Sequence, residues 1–121
     1  MVEVESGSEQ SGFVSGSNLA HVKGTAEPAL EDITISSFLA RTVSRHGNRD
    51  ACIFSEFGER WTWDQLAQKV DQLSAGLLAL GIYKGDRVGI WAPNRPEWVL
   101  TQFATARIGA ILVNINPAYR R

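Results

Sequence analysis

From residue 33 onward, apolar positions alternate between the periods of helices and strands. Ile35, Phe38, Leu39, Thr42, Val43 and His46 recur at i, i+3, i+4 and i+7 spacing, which predicts an amphipathic helix. Thr34 or Ser36 would cap its start, and Gly47 would take the left-handed position just past its end. Asn48-Arg49-Asp50 then turns the chain into a short strand, Ala51-Cys52-Ile53-Phe54. Glu56-Phe57-Gly58-Glu59 has the composition of a hairpin loop, and Arg60-Trp61-Thr62-Trp63 returns as a second strand. Thr62 and Gln65 also carry the T-x-x-Q spacing of a capping box, which predicts a helix behind them. Leu66, Val70, Leu73, Leu77 and Leu80 form its apolar stripe, and Gly81 closes it.

The second half has a different rhythm. Gly85-Asp86 turns the chain into Arg87-Val88-Gly89-Ile90-Trp91-Ala92, and Pro93 stops that strand. Asn94 and Glu97 repeat the capping-box spacing, with Pro96 in the first turn, where its missing amide costs nothing. Val99, Phe103, Ala106 and Ala110 are the predicted inner stripe of the helix that follows, and Gly109 marks its end. A last apolar strand, Ala110 to Ile115, runs into Asn116-Pro117. Neither strand alternates polar with apolar, the character of parallel strands covered on both faces. Two such strands joined by a crossover helix begin a parallel sheet, and little sequence remains to cover it. The fold expected is therefore α/β and incomplete: helix, β-hairpin, helix, then a β-α-β parallel unit. Taken alone, such a chain is expected to be marginal or molten, because forgone burial of a few hundred square ångströms rivals a domain's whole stability, ~5–15 kcal/mol.

Charge separates residues 1–32 from the rest. They carry six acids and one base, net −5, whereas residues 33–121 carry eleven bases and seven acids, net +4. Ser6 to Ser17 is almost wholly Ser, Gly, Glu and Gln, so residues 1–32 are expected to be a disordered acidic tail. Pro28 sits near the boundary, and residues 33–121 are the start of the folded domain. A dispersed surplus of four is an ordinary surface, not a nucleic-acid footprint. One cysteine, Cys52, allows no intrachain disulfide, and no apolar run approaches the ~20 residues of a membrane span. The first residues are acidic and nearly free of arginine, the reverse of a mitochondrial transit peptide, so cytoplasm is the expected compartment.

Candidate chemistry is sparse. The sequence contains no G-x-x-x-x-G-K-[ST] and no G-x-G-x-x-G behind a strand. Gly81-Ile82-Tyr83-Lys84-Gly85-Asp86 holds two glycines and a lysine, but it leads into a strand rather than a helix. A structural turn is favoured there over a phosphate site. His21 and His46 lack ligand spacing, and Cys52 falls where a cysteine behaves as a small hydrophobe. Trp61 and Trp63 would share a strand face, and Trp91 and Trp98 flank a turn. Their interleaving with Arg60, Arg87 and Arg95 could suggest base stacking, but core packing accounts for them more simply. Asp64, Asp86 and Glu97 are explained by their places in first turns and turns. No catalytic, cofactor-binding or metal-ligating residue is assigned.

The wording of the sequence is more specific than its periodicity. Thr62-Trp63-Asp64-Gln65-Leu66, Ala75-Gly76-Leu77-Leu78 and Gly81 to Val88 resemble the N-terminal domain of the acyl-CoA synthetases, in the adenylate-forming (AMP-binding) superfamily. Pro93-Asn94, Glu97-Trp98, Gly109-Ala110-Ile111 and Val113 to Arg120 continue the match, and the last block is similar to the branch acting on medium- and long-chain fatty acids. Trp63 departs from the usual tyrosine. The resemblance implies a ligase that joins a fatty acid to ATP as an acyl-adenylate and passes it to coenzyme A, with Mg2+ beside the ATP. It also implies that the phosphate loop, adenine block, ribose aspartate and lid lysine come later than residue 121, so none is carried over here. The chain alone is expected to be inactive. Two other readings stay open: a small non-enzymatic homologue that binds a full-length synthetase through its open sheet edge, and a stand-alone nucleotide-binding module, which the absent phosphate loop disfavours.

Overall fold

The computed structural model describes residue 24 and residues 27–119. The chain divides into two compact units, Met1–Glu31 and Asp32–Arg121. Most of the first unit, including the Ser/Gly-rich stretch and His21, lies outside the described residues.

In the second unit the elements run α1 (Ile35–His46), β1 (Asp50–Phe54), a 3-10 turn (Ser55–Phe57), β2 (Glu59–Thr62), α2 (Trp63–Ala79), β3 (Arg87–Trp91), α3 (Pro96–Ile108) and β4 (Ile111–Ile115). β1 and β2 form an antiparallel hairpin, and β3 pairs with β4 in parallel, with Arg87 opposite Ile111 and Trp91 opposite Ile115. α1, α2 and α3 pack on one another; α2 also covers the hairpin, and α3 covers one face of β3–β4.

Local chemistry explains most of the boundaries. Thr34, not Ser36, caps α1: its Oγ1 accepts from the Ser37 amide at 3.1 Å. The capping box of α2 is complete, with Thr62 Oγ1 accepting from the Gln65 amide and Gln65 Oε1 accepting from the Thr62 amide. Gly81, Gly85 and Gly109 take φ of 81°, 92° and 75° at the turns that end α2, open β3 and end α3.

Several details differ from the expectations. Trp63 does not share a strand face with Trp61, because a residue following an N-cap must be helical; it is the first residue of α2. Gly47 is not left-handed but helical, at φ −45° and ψ −44°. Its requirement is space: an added Cβ would stand 2.4 Å from Asp64 Oδ1, where the α2 N-terminus crosses the end of α1 and the Asp64 amide donates to Gly47 O. Asn94 does not cap α3. Proline at the first helical position makes Arg95 the N-cap, and Arg95 offers no side-chain cap.

The core comprises Leu39, Trp61, Leu66, Val70, Leu77 and Ala104. Leu80, assigned to the same stripe, is 79 % exposed, since the helix ends before it and the cap turns its side chain away. In α3 the fully inward residues are Pro96, Ala104 and Thr105 rather than Ala106 or Ala110. Polar and apolar residues are mixed around α3, so periodicity cannot choose its inner face; packing against α2 does. Ser74 on α2 is buried there, its hydroxyl donating to Val70 O and, at 3.4 Å, to Ala104 O. Val88, Ile90 and Leu112 are half-buried on the α3 side of the parallel pair. On the opposite face Trp91, Ile111 and Val113 are 59 %, 47 % and 39 % exposed.

Candidate functional site

In open α/β sheets, ligands settle outside the carboxyl ends of the strands, and there the second unit forms two adjoining open grooves. One, of about 500 Å³, lies at the ends of β3 and β4 and is lined by Pro93, Asn94, Trp98, Asn114 and Asn116 among others. The other, of about 410 Å³, lies between the hairpin turn and the start of α3, with Phe54, Phe57, Arg95 and Val99 in its wall. Trp98 lines both.

The wall between them is fixed by hydrogen bonds. Trp98 Nε1 donates to Pro93 O at 3.0 Å and Ala92 O at 3.2 Å, which ties α3 back to the loop that leaves β3. Arg95 reaches Glu97 through two hydrogen bonds of 3.1 Å and lies over the Phe57 ring at 5.6 Å. The hydrogen bond from Arg95 holds the Glu97 carboxyl below its ordinary range, and the same contact raises Arg95. At the end of β4, Asn116 Oδ1 accepts from the Ala118 amide at 2.9 Å and Asn116 O accepts from the Tyr119 amide, so the chain turns there.

These groups can hold and orient, but none is poised as a nucleophile or base. Asn94, Asn114 and Asn116 bring amides, and the larger groove has no titratable side chain in its lining. Among the described residues no three His, Cys, Asp or Glu side chains are placed to share a metal ion, and no helix is long and apolar enough to cross a membrane. The Arg95–Glu97 pair was missed from sequence. Pro96 was the available signal, because it places the N-cap at Arg95 and so brings the two side chains together at the helix start.

The residues weighed from sequence are scattered. Cys52 is half-buried on β1, and burial pushes its thiol up, keeping it protonated at neutral pH. His46 is exposed at the end of α1. Trp61 packs edge-on against Phe54 in the core, with Lys69 Nζ 5.0 Å from its ring centre, whereas Trp91 stands exposed on the sheet. Arg60 pairs with Asp50 across the hairpin, and Arg107 pairs with Asp71 between α3 and α2. The two-glycine turn lies at the other end of the sheet, and internal bonds occupy it. Asp86 Oδ2 accepts from the Tyr83 amide, the Gly85 amide donates to Gly109 O, and the Lys84 stem lies against Gly109.

Comparison with known proteins decides the family. The model of the AMP-binding enzymes matches residues 39–121. This chain belongs to that family. It is 46 % identical over 101 residues to the mitochondrial medium-chain acyl-CoA ligase ACSF2 of Danio rerio, and 42 % identical over 101 residues to the acyl-CoA ligase sidI of Aspergillus fumigatus. Each match takes in 84 % of this chain and 17 % of the relative, so the chain spans about a sixth of their length. In three dimensions it is similar to a Mycobacterium tuberculosis fatty acyl CoA synthetase, with a TM-score of 0.69 and 29 % identity over 71 % of this chain and 17 % of that one. The N-terminal subdomain of Klebsiella oxytoca NpsA gives a TM-score of 0.67 at 28 % identity, over 72 % of this chain and 22 % of that one. The α/β arrangement is thus that of the N-terminal subdomain of adenylate-forming enzymes.

Proposed function

We propose that this chain is the N-terminal part of a fatty acyl-CoA synthetase. The whole enzyme joins a medium- or long-chain fatty acid to ATP as an acyl-adenylate and transfers the acyl group to coenzyme A. The observation that carries this is the 46 % identity to a medium-chain acyl-CoA ligase over 101 residues, beside a family match over residues 39–121 that takes in the grooves at the strand ends. The family implies ATP, Mg2+ and coenzyme A, but the described residues do not fit them. The glycine turn spends its amides internally and leads into a strand, and no acidic cluster is placed to hold a cation. The chain's own part is to build the β3–α3–β4 scaffold, with Trp98 and Asn116 fixing the loops at its carboxyl end. The segment alone is inactive on this reading.

The test is an in-frame chimera, in which the matched segment of the Danio rerio ligase is replaced by the corresponding residues of this chain. ATP- and CoA-dependent formation of octanoyl-CoA is expected within about ten-fold of the parent, a barrier change near 1.4 kcal/mol. A soluble, folded chimera without activity would overturn the proposal. The purified 121-residue chain should trap no acyl-hydroxamate above background. The compartment is read by fractionation of the tagged protein, which decides between the cytoplasm and the mitochondrion named for the ACSF2 relatives.

A further inference from the structure

We infer that the outward face of α1 docks on an anionic lipid bilayer. The face is argued from α1 itself; its purpose, access to a fatty acid held in the membrane, rests on the acyl-CoA synthetase reading above. The inner side of α1 is spent on the core, where Leu39 is buried and Val43 packs against it. Phe38, Arg41 and Arg45 stand at i, i+3 and i+7, a second stripe on another side of the same helix. Phe38 is 51 % exposed, Ile35 at the helix start 56 %, and Ile33 just before it 42 %. The Arg41 guanidinium lies over the Phe38 ring at 4.9 Å, and Arg45 is exposed one turn further on. Apolar and cationic groups thus share one surface.

Charge chooses the occupant. From Ile33 to Arg49 the chain carries three arginines, one histidine and no acid. Its carboxylates stop at Asp32 and resume at Asp50, which is paired with Arg60, while Asp64 meets the helix at Gly47, past its last turn. A second copy laid on this face would set arginine against arginine, which is repulsive. A soluble polyanion would satisfy the arginines but leave Ile33, Ile35 and Phe38 in water. An anionic bilayer takes both kinds of group, the cations among its headgroups and the apolar side chains at the acyl boundary beneath. Each arginine beside such a surface raises partitioning by about five-fold, and each half-exposed apolar side chain adds about three- to ten-fold. The sum describes reversible peripheral binding, and among the described residues no helix is long and apolar enough to cross a membrane. Fatty acids themselves concentrate in bilayers, since each buried CH2 favours partitioning by about four-fold. An enzyme held there by α1 meets its substrate where it is abundant.

Vesicle flotation of the in-frame chimera tests this, since a match over 84 % of the chain takes in α1. Phosphatidylcholine vesicles containing about one-third phosphatidylserine are compared with vesicles of phosphatidylcholine alone. Binding to the anionic vesicles is expected to be at least about ten-fold tighter and to weaken as salt is raised. Arg45→Glu and Phe38→Glu should each weaken it by about ten-fold. Neither residue is near the strand-end grooves, so octanoyl-CoA formation from dissolved octanoate should stay unchanged in both variants, which also shows that they fold. The inference falls if the active chimera does not float, or floats equally with both kinds of vesicle; the family reading then survives. It falls if binding ignores Arg45→Glu. Binding that responds to Arg45→Glu but ignores Phe38→Glu, and is matched by soluble polyglutamate, would make an acidic polypeptide the occupant and overturn the bilayer. A folded chimera that floats through α1 but forms no octanoyl-CoA would uphold the docking face and instead defeat the synthetase reading.

Discussion

Leu66 and Leu80 lie on one apolar stripe by spacing, yet Leu66 is 1 % exposed and Leu80 is 79 % exposed. Truncating each to alanine therefore separates burial from periodicity. At Leu66 the change loses the transfer energy of the deleted carbons and leaves a cavity between α2 and its neighbours, about 3–5 kcal/mol. At Leu80 almost nothing leaves the interior, and the expected change is within about 0.5 kcal/mol. A folded unit of this size has roughly 5–13 kcal/mol of stability, and the sheet face left exposed among the described residues places this one near the low end. Leu66→Ala should thus remove more than half of it and lower Tm by about 15 °C or more, at ~4–8 °C per kcal/mol. Urea unfolding followed in parallel by circular dichroism and tryptophan fluorescence reads both variants, because Trp61 lies in the same core. The same ranking is expected in the in-frame chimera. Equal shifts for the two variants, or a loss under about 1 kcal/mol at Leu66, would refute the assignment of the α2 face.

Gly47→Ala opposes two effects. Its helical backbone would gain about 1 kcal/mol from alanine, but the new Cβ would stand 2.4 Å from Asp64 Oδ1. The Asp64 carboxylate has to turn aside, so the two effects should nearly cancel, within about 0.5 kcal/mol, and the alanine should become favourable in an Asp64→Ala background; additive effects in the double-mutant cycle would rule out the clash. Arg95 lowers the Glu97 carboxyl, so the folded value lies below the unfolded one. This contribution is present above the unfolded glutamate value and is lost as pH falls through the folded one. A carboxyl titration followed by NMR should place Glu97 below the ordinary glutamate range and return it there in Arg95→Gln. An unchanged midpoint would show that the pair does not persist in solution.

The order of elements, the capping box at Thr62 and Gln65, the turns at Gly81 and Gly109, and the family itself were legible in the amino-acid sequence. Caps and turns are satisfied within three or four residues, so their chemistry is complete in a short window of text. Legibility failed where the partner is distant along the chain. Gly47 looked like a helix terminator because glycine often is one, but its neighbour Asp64 is 17 positions away, a separation no local pattern encodes. α3, with polar and apolar residues mixed around it, acquired an inner face only by packing Ala104 and Thr105 inward. The grooves about Trp98 likewise arise where β3, α3, β4 and the hairpin converge. Tertiary packing alone also decided that, among the described residues, one face of the β3–β4 pair is covered and the other exposed. Burial belongs to pairs of surfaces: an apolar strand specifies that it needs a neighbour, and only the assembled fold shows which neighbours it has.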